Sequence, residues 1–173
     1  MNDSAAAAVN LLGATGLLIS GVVRDAVTEV VGAGGALGEA LIAIRDQPGR
    51  TADWLAAVLH VSQPGTAHLV RKLTDNGWVE RGTARDGRSR PLRLTPAGQD
   101  VADAALRARQ QALRRLVARL SAEQHAQLAD IAGALLGPEA RDERRLARLC
   151  RLCDRGSCPQ CPVHEGWQRA GGH

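Results

Sequence analysis

All four cysteines of this 173-residue chain stand between positions 150 and 161, as Cys150-x2-Cys153-x4-Cys158-Pro-x-Cys161, with His164 three residues further on. Cysteines used as small core residues would be scattered along the helices, so this bunching points to chemistry. Pairs of C-x2-C are the usual unit of a metal site, and four thiolates fill four ligand positions. Three uses compete. Iron–sulfur clusters are held by four cysteinates, often in one compact run followed by proline, and Cys158-Pro159 and Cys161-Pro162 have that form. A structural zinc would take the same ligands, although the four-residue gap is short for two zinc knuckles, which usually come from separated segments. In either site His164 is placed to replace one cysteine. The third use is a metal-free thiol switch, with Arg151 and Arg155 stabilising thiolates.

The second chemically suggestive group is cationic. From Arg71 to Arg93 the basic residues are Arg71, Lys72, Arg81, Arg85, Arg88, Arg90 and Arg93, against the acids Asp75, Glu80 and Asp86. That local excess of four equals the formal net charge of the whole chain, +4, so the rest is neutral on balance. A cation excess confined to one stretch suits a polyanionic partner. Just upstream stand Ser62, Gln63, Gly65, Thr66, Ala67 and His68, expected as exposed positions early in a helix. Gln63 has the amide that pairs with adenine, and Thr66 offers a methyl to thymine or a hydroxyl to phosphate. Arg71 and Lys72 lie later and reach for guanine or the backbone.

These residues need elements to hold them. Ala52 to Leu59 reads as a short helix with Leu55, Val58 and Leu59 on one face, and His60-Val61 as a tight connection. Ser62 is an N-cap and Pro64 is tolerated in the first turn. The second helix runs to about Asn76 with Leu69, Val70 and Leu73 as its stripe, and Asn76-Gly77 ends it. Two short helices joined by a brief turn form a helix-turn-helix. Trp78 to Arg81 and Leu92 to Leu94 alternate like strands around the charged turn Asp86 to Arg90, which makes a β-hairpin wing.

The run HVSQPGTAHLVRKLTDNGWVERGTARDGRSRPLRLTPAG resembles the winged-helix core of the MarR family of transcriptional regulators. The resemblance is carried by the capped recognition helix, L-x-x-x-G-W-V-E-R, the wing D-G-R and the closing L-T-P-A-G, and with flanking helices it spans roughly residues 8 to 137. It implies a mostly α fold with a small β-hairpin wing, a homodimer and binding to double-stranded DNA at a pseudo-palindromic operator. It also implies that Arg88 enters the minor groove with Asp86 as its brace, and that the first helix and the two after the wing form the dimer interface; Arg90, from the cationic stretch, is a further DNA-binding candidate. The compact cysteine run resembles the cluster-binding tail of redox-sensing regulators of the MerR family, with different spacing. A winged helix serving only to bind protein is the bland alternative, which the charge argues against.

The remaining chain is read in the same terms. Residues 1 to 7 read as frayed, and the first helix is expected over Ala8 to Val31, apolar on more than one face. A helix apolar on most sides must be buried on most sides, and a second copy of the chain is the expected cover. Ala5 to Val23 lacks charge over nineteen positions, near the minimum for a bilayer span. Asn10, Gly13, Thr15, Gly16, Ser20 and Gly21 dilute it and no basic residue precedes it, so a buried helix in a cytoplasmic protein is expected, with no membrane partner. Ala36 to Arg45 forms the next helix. Thr95 and Pro96 open a long helix to about Leu120 with a stripe of Val101, Ala105, Leu113, Leu116, Val117 and Leu120. Ser121 with Gln124 caps a helix from Ala122 to Leu136, with Leu128, Ile131 and Leu135 inward. Beyond Gly137-Pro138 a charged helix runs from Glu139 to about Leu152 with Leu146 and Leu149 as its apolar stripe.

The expected organisation is an N-terminal dimerisation helix (1–35), a winged helix-turn-helix core (36–97), C-terminal dimerisation helices (98–137) and a charged helix with the cysteine tail (138–173). The leading reading is a dimeric DNA-binding regulator, a repressor, whose affinity is modulated by a metal or redox site in the tail. The second is a regulator of the same family answering a small organic ligand, with a structural zinc tail. From a different class comes a redox or electron-transfer protein that uses the winged helix for docking. No phosphate loop, HExxH or paired acid–base carboxylates are present, and His60, His68 and His125 are isolated, so no enzyme is expected and no catalytic residue is assigned.

Overall fold

The computed structural model of the chain describes residues 3–32, 34, 36–83, 90–154, 156, 158, 161–169 and 171. Its centre is α2 (Leu37–Asp46), where Leu37, Ala40, Leu41, Ile42, Ala43 and Ile44 are all buried. Such continuous burial requires cover on every side. It comes from the end of α1 (Asp3–Val31), from α3 (Ala52–Leu59), the strand β2 (Leu92–Leu94) and α5 (Pro96–Val117), with α4 (Gln63–Asp75) packed on α3. Val27, Val31, Leu55, Leu69, Val70, Leu73, Val79, Leu92, Ala102, Ala105 and Leu106 complete this core. Between α2 and α5 the Arg45 guanidinium bonds the Asp103 carboxylate, and Gln99 donates to the same carboxylate at 3.2 Å.

β1 (Val79–Arg81) pairs antiparallel with β2, with Val79 opposite Leu94 and Arg81 opposite Leu92. Gly49 at φ +86°, a conformation glycine adopts without steric cost, lets the α2–α3 loop run beside β2. There Gly49 N donates to Leu92 O and Leu92 N donates to Arg50 O, both at 2.9 Å. The T-P-A-G passage clasps the hairpin to α5. Thr95 Oγ1 donates to Gly77 O at 2.6 Å and accepts from Gly98 N at 3.0 Å, while Thr95 N donates to Trp78 O at 3.0 Å. At Gly98 a Cβ would lie 1.9 Å from Trp78 O, so only glycine lets α5 approach this closely.

Three expectations are corrected at the periphery. The first helix begins at Asp3 rather than Ala8, and within one chain it is not buried: Val9 to Ser20 are all exposed, Leu17 at 79%. It packs only along one side on α5, and by length and composition it is apolar enough to cross a membrane. The helix α6 (Ala122–Leu136) has the predicted capping box, with Gln124 N donating to Ser121 Oγ at 3.2 Å, but Leu128, Ile131 and Leu135 face outward and none of its residues is buried. On α5 the buried positions are Gly98, Ala102, Ala105, Leu106 and Ala112, one step round from most of the expected stripe. Small residues lie inward there because α1 crosses close by.

The expected helix from Glu139 to Leu152 is divided. Residues Gly137–Glu139 form a 3-10 turn, and the Asp142 carboxylate accepts from Arg145 N at 2.8 Å to start α7 (Glu143–Cys150). An unpredicted α8 (Pro162–Arg169) follows. Ala140, Leu146, Cys150 and Val163 form a second small core, flanked by Leu149, Cys153, Cys161 and Trp167.

Candidate functional site

The helix α4 is held by its buried side, where Leu69, Val70 and Leu73 enter the core, and by its cap, where Ser62 Oγ accepts from Gly65 N at 3.3 Å. Its outer face exposes Gln63, Ala67, His68, Arg71 and Lys72. Arg71 Nη2 lies 2.7 Å from His68 Nδ1. Arginine only donates, so Nδ1 is the acceptor and the two side chains form one polar unit. Thr66 departs from the sequence expectation. It is 1% exposed, and its hydroxyl donates to Ser62 O at 3.1 Å, so it packs inside the helix pair and cannot meet a base. Ser62 is exposed, but its hydroxyl is engaged as the cap.

In the wing Arg81, Arg90 and Arg93 are exposed, with Arg93 opposite Glu80 across the hairpin. Asp86 and Arg88, together with Arg85, lie outside the described residues.

The cysteine turn joins α7 to α8 and is braced by Cys153 N donating to Cys150 O and Glu165 N to Cys161 O, both at 2.9 Å. None of the four cysteines is in a disulfide; Cys150 is buried, Cys153 and Cys161 are half-buried and Cys158 is exposed. Partial cover of the Cys158 sulfur pushes its pKa up, and the neighbouring Cys161, hydrogen-bonded to it, and Cys153 push the same way. Among the described residues no three His, Cys, Asp or Glu side chains are grouped to hold a metal ion. Any fit to a metal therefore rests on donor chemistry, three thiols at one small core and the exposed Cys158, a donor set of the type that soft ions and clusters take.

The expected arginine support is also different. Arg151 turns away from the thiols to bond Glu39 at 2.8 Å and Arg148 O at 2.7 Å, and Arg155 lies outside the described residues. The cation facing Cys153 is Arg109 of α5, a residue that sequence reading passed over. Burial lowers its pKa and Cys153 partly restores it, while its Nε finds no hydrogen-bond partner among the described residues. His164 is exposed and lies against Trp167 with centroids 5.3 Å apart and rings tilted by 45°, and its Nε2 lies 3.3 Å from Gln168 Nε2.

The tail does not merely sit beside the dimerisation helices. On one side α7 lies against α3, with Arg148 Nη2 donating to Ala57 O at 3.0 Å and Arg50 paired with Glu143. On the other side α8 packs against the end of α6, where a Cβ on Gly166 would meet Gly137 O at 2.1 Å. Gln110 of α5 donates to Asp154 at 2.7 Å between them. The cysteine turn thus links the piece of tail on the helix-turn-helix to the piece on α6.

Residues 39–89 match the model of the MarR family. This stretch is similar to MarR-family domains. Solved MarR-family structures share the fold of most of the chain. A MarR family protein of Bacillus stearothermophilus is 19% identical, with a TM-score of 0.68 over 78% of this chain and 95% of that one. MepR of Staphylococcus aureus, a regulator of the multidrug efflux pump MepA, is 20% identical, with a TM-score of 0.63 over 72% and 93%. The MarR family protein Rv2887 of Mycobacterium tuberculosis, in complex with salicylic acid, is 28% identical, with a TM-score of 0.56 over 72% and 95%. No curated protein matches the chain. The chain therefore has the winged-helix fold of MarR-family transcription regulators, generally non-enzymatic proteins that bind DNA and usually act as dimers.

Proposed function

We propose that this chain is a dimeric, sequence-specific DNA-binding regulator, acting as a repressor in the cytoplasm, whose DNA affinity answers to the state of its cysteine turn. The observation that carries the reading is the outer face of α4, where Gln63, His68, Arg71 and Lys72 stand together over a buried apolar stripe. In the dimer α1 and α6 cover each other's exposed leucines and isoleucines, and two α4 helices meet successive major grooves about 34 Å apart. Gln63 and the Arg71–His68 unit read base edges; Lys72, Arg90 and the Arg88–Asp86 pair hold the backbone and the minor groove.

The cysteine turn would hold an iron–sulfur cluster or a zinc through Cys150, Cys153, Cys158 and Cys161. Such a group supplies charge and rigidity at the turn, and in the cluster case a reducible centre. The chain's own residues transmit the change. α7 is pinned to α3 through Arg148 and to the loop before α3 through Glu143 and Arg50, and α8 is seated on Gly137, so tightening or loosening the turn biases the angle between reading head and dimer base. Differential stabilisation of two such arrangements is what alters DNA affinity.

A second reading has its own observation. A cavity of about 590 Å³ lies between α1, α2 and the tail, lined by Val27, Glu39, Leu59, Arg109, Leu149 and Leu152 among others. Its size and its apolar walls with convergent arginine suit a small aromatic acid, the class of the ligand named for Rv2887.

To test these readings, protein purified without oxygen selects duplexes from a random library, and its visible spectrum and its iron, sulfide and zinc contents are measured on the same sample. The expected result is a recovered pseudo-palindrome, broad weakening by Arg88→Ala, and relaxed preference at one base pair by Gln63→Ala. Equal operator affinity with the thiols loaded and stripped would remove the tail from the regulatory circuit. The same titration with salicylate then examines the cavity.

A further inference from the structure

A cleft opens where α7 crosses the end of α3 and the start of α4. Ala57, His60, Val61 and Ser62 form one wall, and Arg144 and Arg148 the other, enclosing about 400 Å³ with no carboxylate in the lining. The two arginines are differently committed. Arg148 pins α7 to α3 by donating to Ala57 O at 3.0 Å. Arg144 is exposed and makes no hydrogen bond or ion pair among the described residues, whereas its neighbours Glu143 and Arg145 are paired with Arg50 and Glu139. A guanidinium left unmatched within a charged helix is available to an outside anion.

The cleft's position chooses the anion. A recognition helix enters the major groove with its N-terminal residues at the base edges, and Gln63 begins α4. Residues 60–62 just before it then stand at the lip of the groove, where the sugar–phosphate strand passes. Most hydrogen bonds from protein to DNA go to that backbone, and Arg144 stands across the lip from His60 and Ser62.

We propose that this cleft is a phosphate seat supplied by the C-terminal tail, in which Arg144, backed by Arg148, grips the DNA strand bordering the groove that α4 reads. The seat rests on the DNA-binding reading above, and it makes α7 a part of the DNA interface.

The experiment measures binding of the full-length wild type, Arg144→Gln and Arg144→Lys to a labelled duplex selected by the wild type and to a scrambled duplex, across a salt series. The exposed Arg144 side chain makes no hydrogen bond or ion pair among the described residues, so its replacement leaves the fold intact, which circular dichroism checks. The expected result is a roughly three- to tenfold loss for Arg144→Gln, equal on both duplexes, with a log–log salt slope shallower by about 0.9 for each seat occupied. Arg144→Lys keeps the slope. Wild-type affinity and slope in Arg144→Gln overturn the seat while leaving DNA binding standing, as does a loss confined to the selected duplex, which marks a base contact. Failure of the wild type to bind any duplex overturns both readings.

Discussion

Thr66 shows how one helical step separates reading from packing. Gln63 and Ala67 face outward, yet Thr66, immediately before Ala67, is sealed into the α3–α4 contact with its hydroxyl on Ser62 O. Its neighbours in the sequence are polar or small, so nothing in residue type signals burial; only the phase of Leu69, Val70 and Leu73 does, and Thr66 lies one turn before them. Gly98 is the opposite case, because L-T-P-A-G is legible as a family motif, but its cause becomes visible only when Trp78 O stands where a Cβ would go. Gly98→Ala must separate α5 from the hairpin and should cost roughly 3 kcal/mol in chemical denaturation, well above the effect of Gly→Ala at an open helix site. Asp103 provides a pH test. Burial raises its pKa, but the Gln99 amide and the Arg45 guanidinium outweigh that and hold it below the usual carboxylate range. A depressed pKa in the fold means the stabilisation is present above about pH 3.9 and is lost as pH falls through the folded value. Both side chains are about a third exposed, 34% and 30%, so the contribution is small, about 0.5 kcal/mol. Asp103→Asn should lower stability at pH 7 by that order and flatten the acid limb of the unfolding curve.

At the scale of elements, the caps were legible and the covers were not. Ser62, Thr95 and Ser121 cap the helices expected of them, because capping depends on residues within one turn. The inward direction assigned to Leu128, Ile131 and Leu135 depends instead on what lies opposite, and among the described residues they stay largely exposed. In the dimer proposed above, a second copy would cover both α6 and the bare face of α1. Ile131→Glu should therefore leave the circular dichroism of the chain unchanged while converting the dimer to monomer in light scattering. A dimer that persists would place the interface elsewhere. The break between the 3-10 turn and α7 was missed for a related reason. Asp142 is a good cap, but in the run EARDERRLARLC it stands among charges that also suit a continuous helix. The break is enforced at tertiary level, by the turn at Gly137–Glu139 and by Gly137 receiving Gly166.

On the whole molecule, the two cores differ in kind. The larger is built from nearly every element around α2, whereas the smaller consists of Ala140, Leu146, Cys150 and Val163 with a few half-buried neighbours. So few apolar groups cannot hold α7 and α8 in place by themselves, and the attachment is completed by ion pairs and hydrogen bonds at its margins. Amide hydrogen exchange should separate them, with α8 exchanging at an opening free energy well below the global one and α2 exchanging only with complete unfolding. Uniform protection across both would show that tail and head melt as one unit. A tail that detaches alone gives the molecule two clocks. The winged-helix core can persist for its full unfolding lifetime while the tail opens and recloses many times, so in the proposed regulator a signal that catches the open tail would act quickly without ever risking the fold.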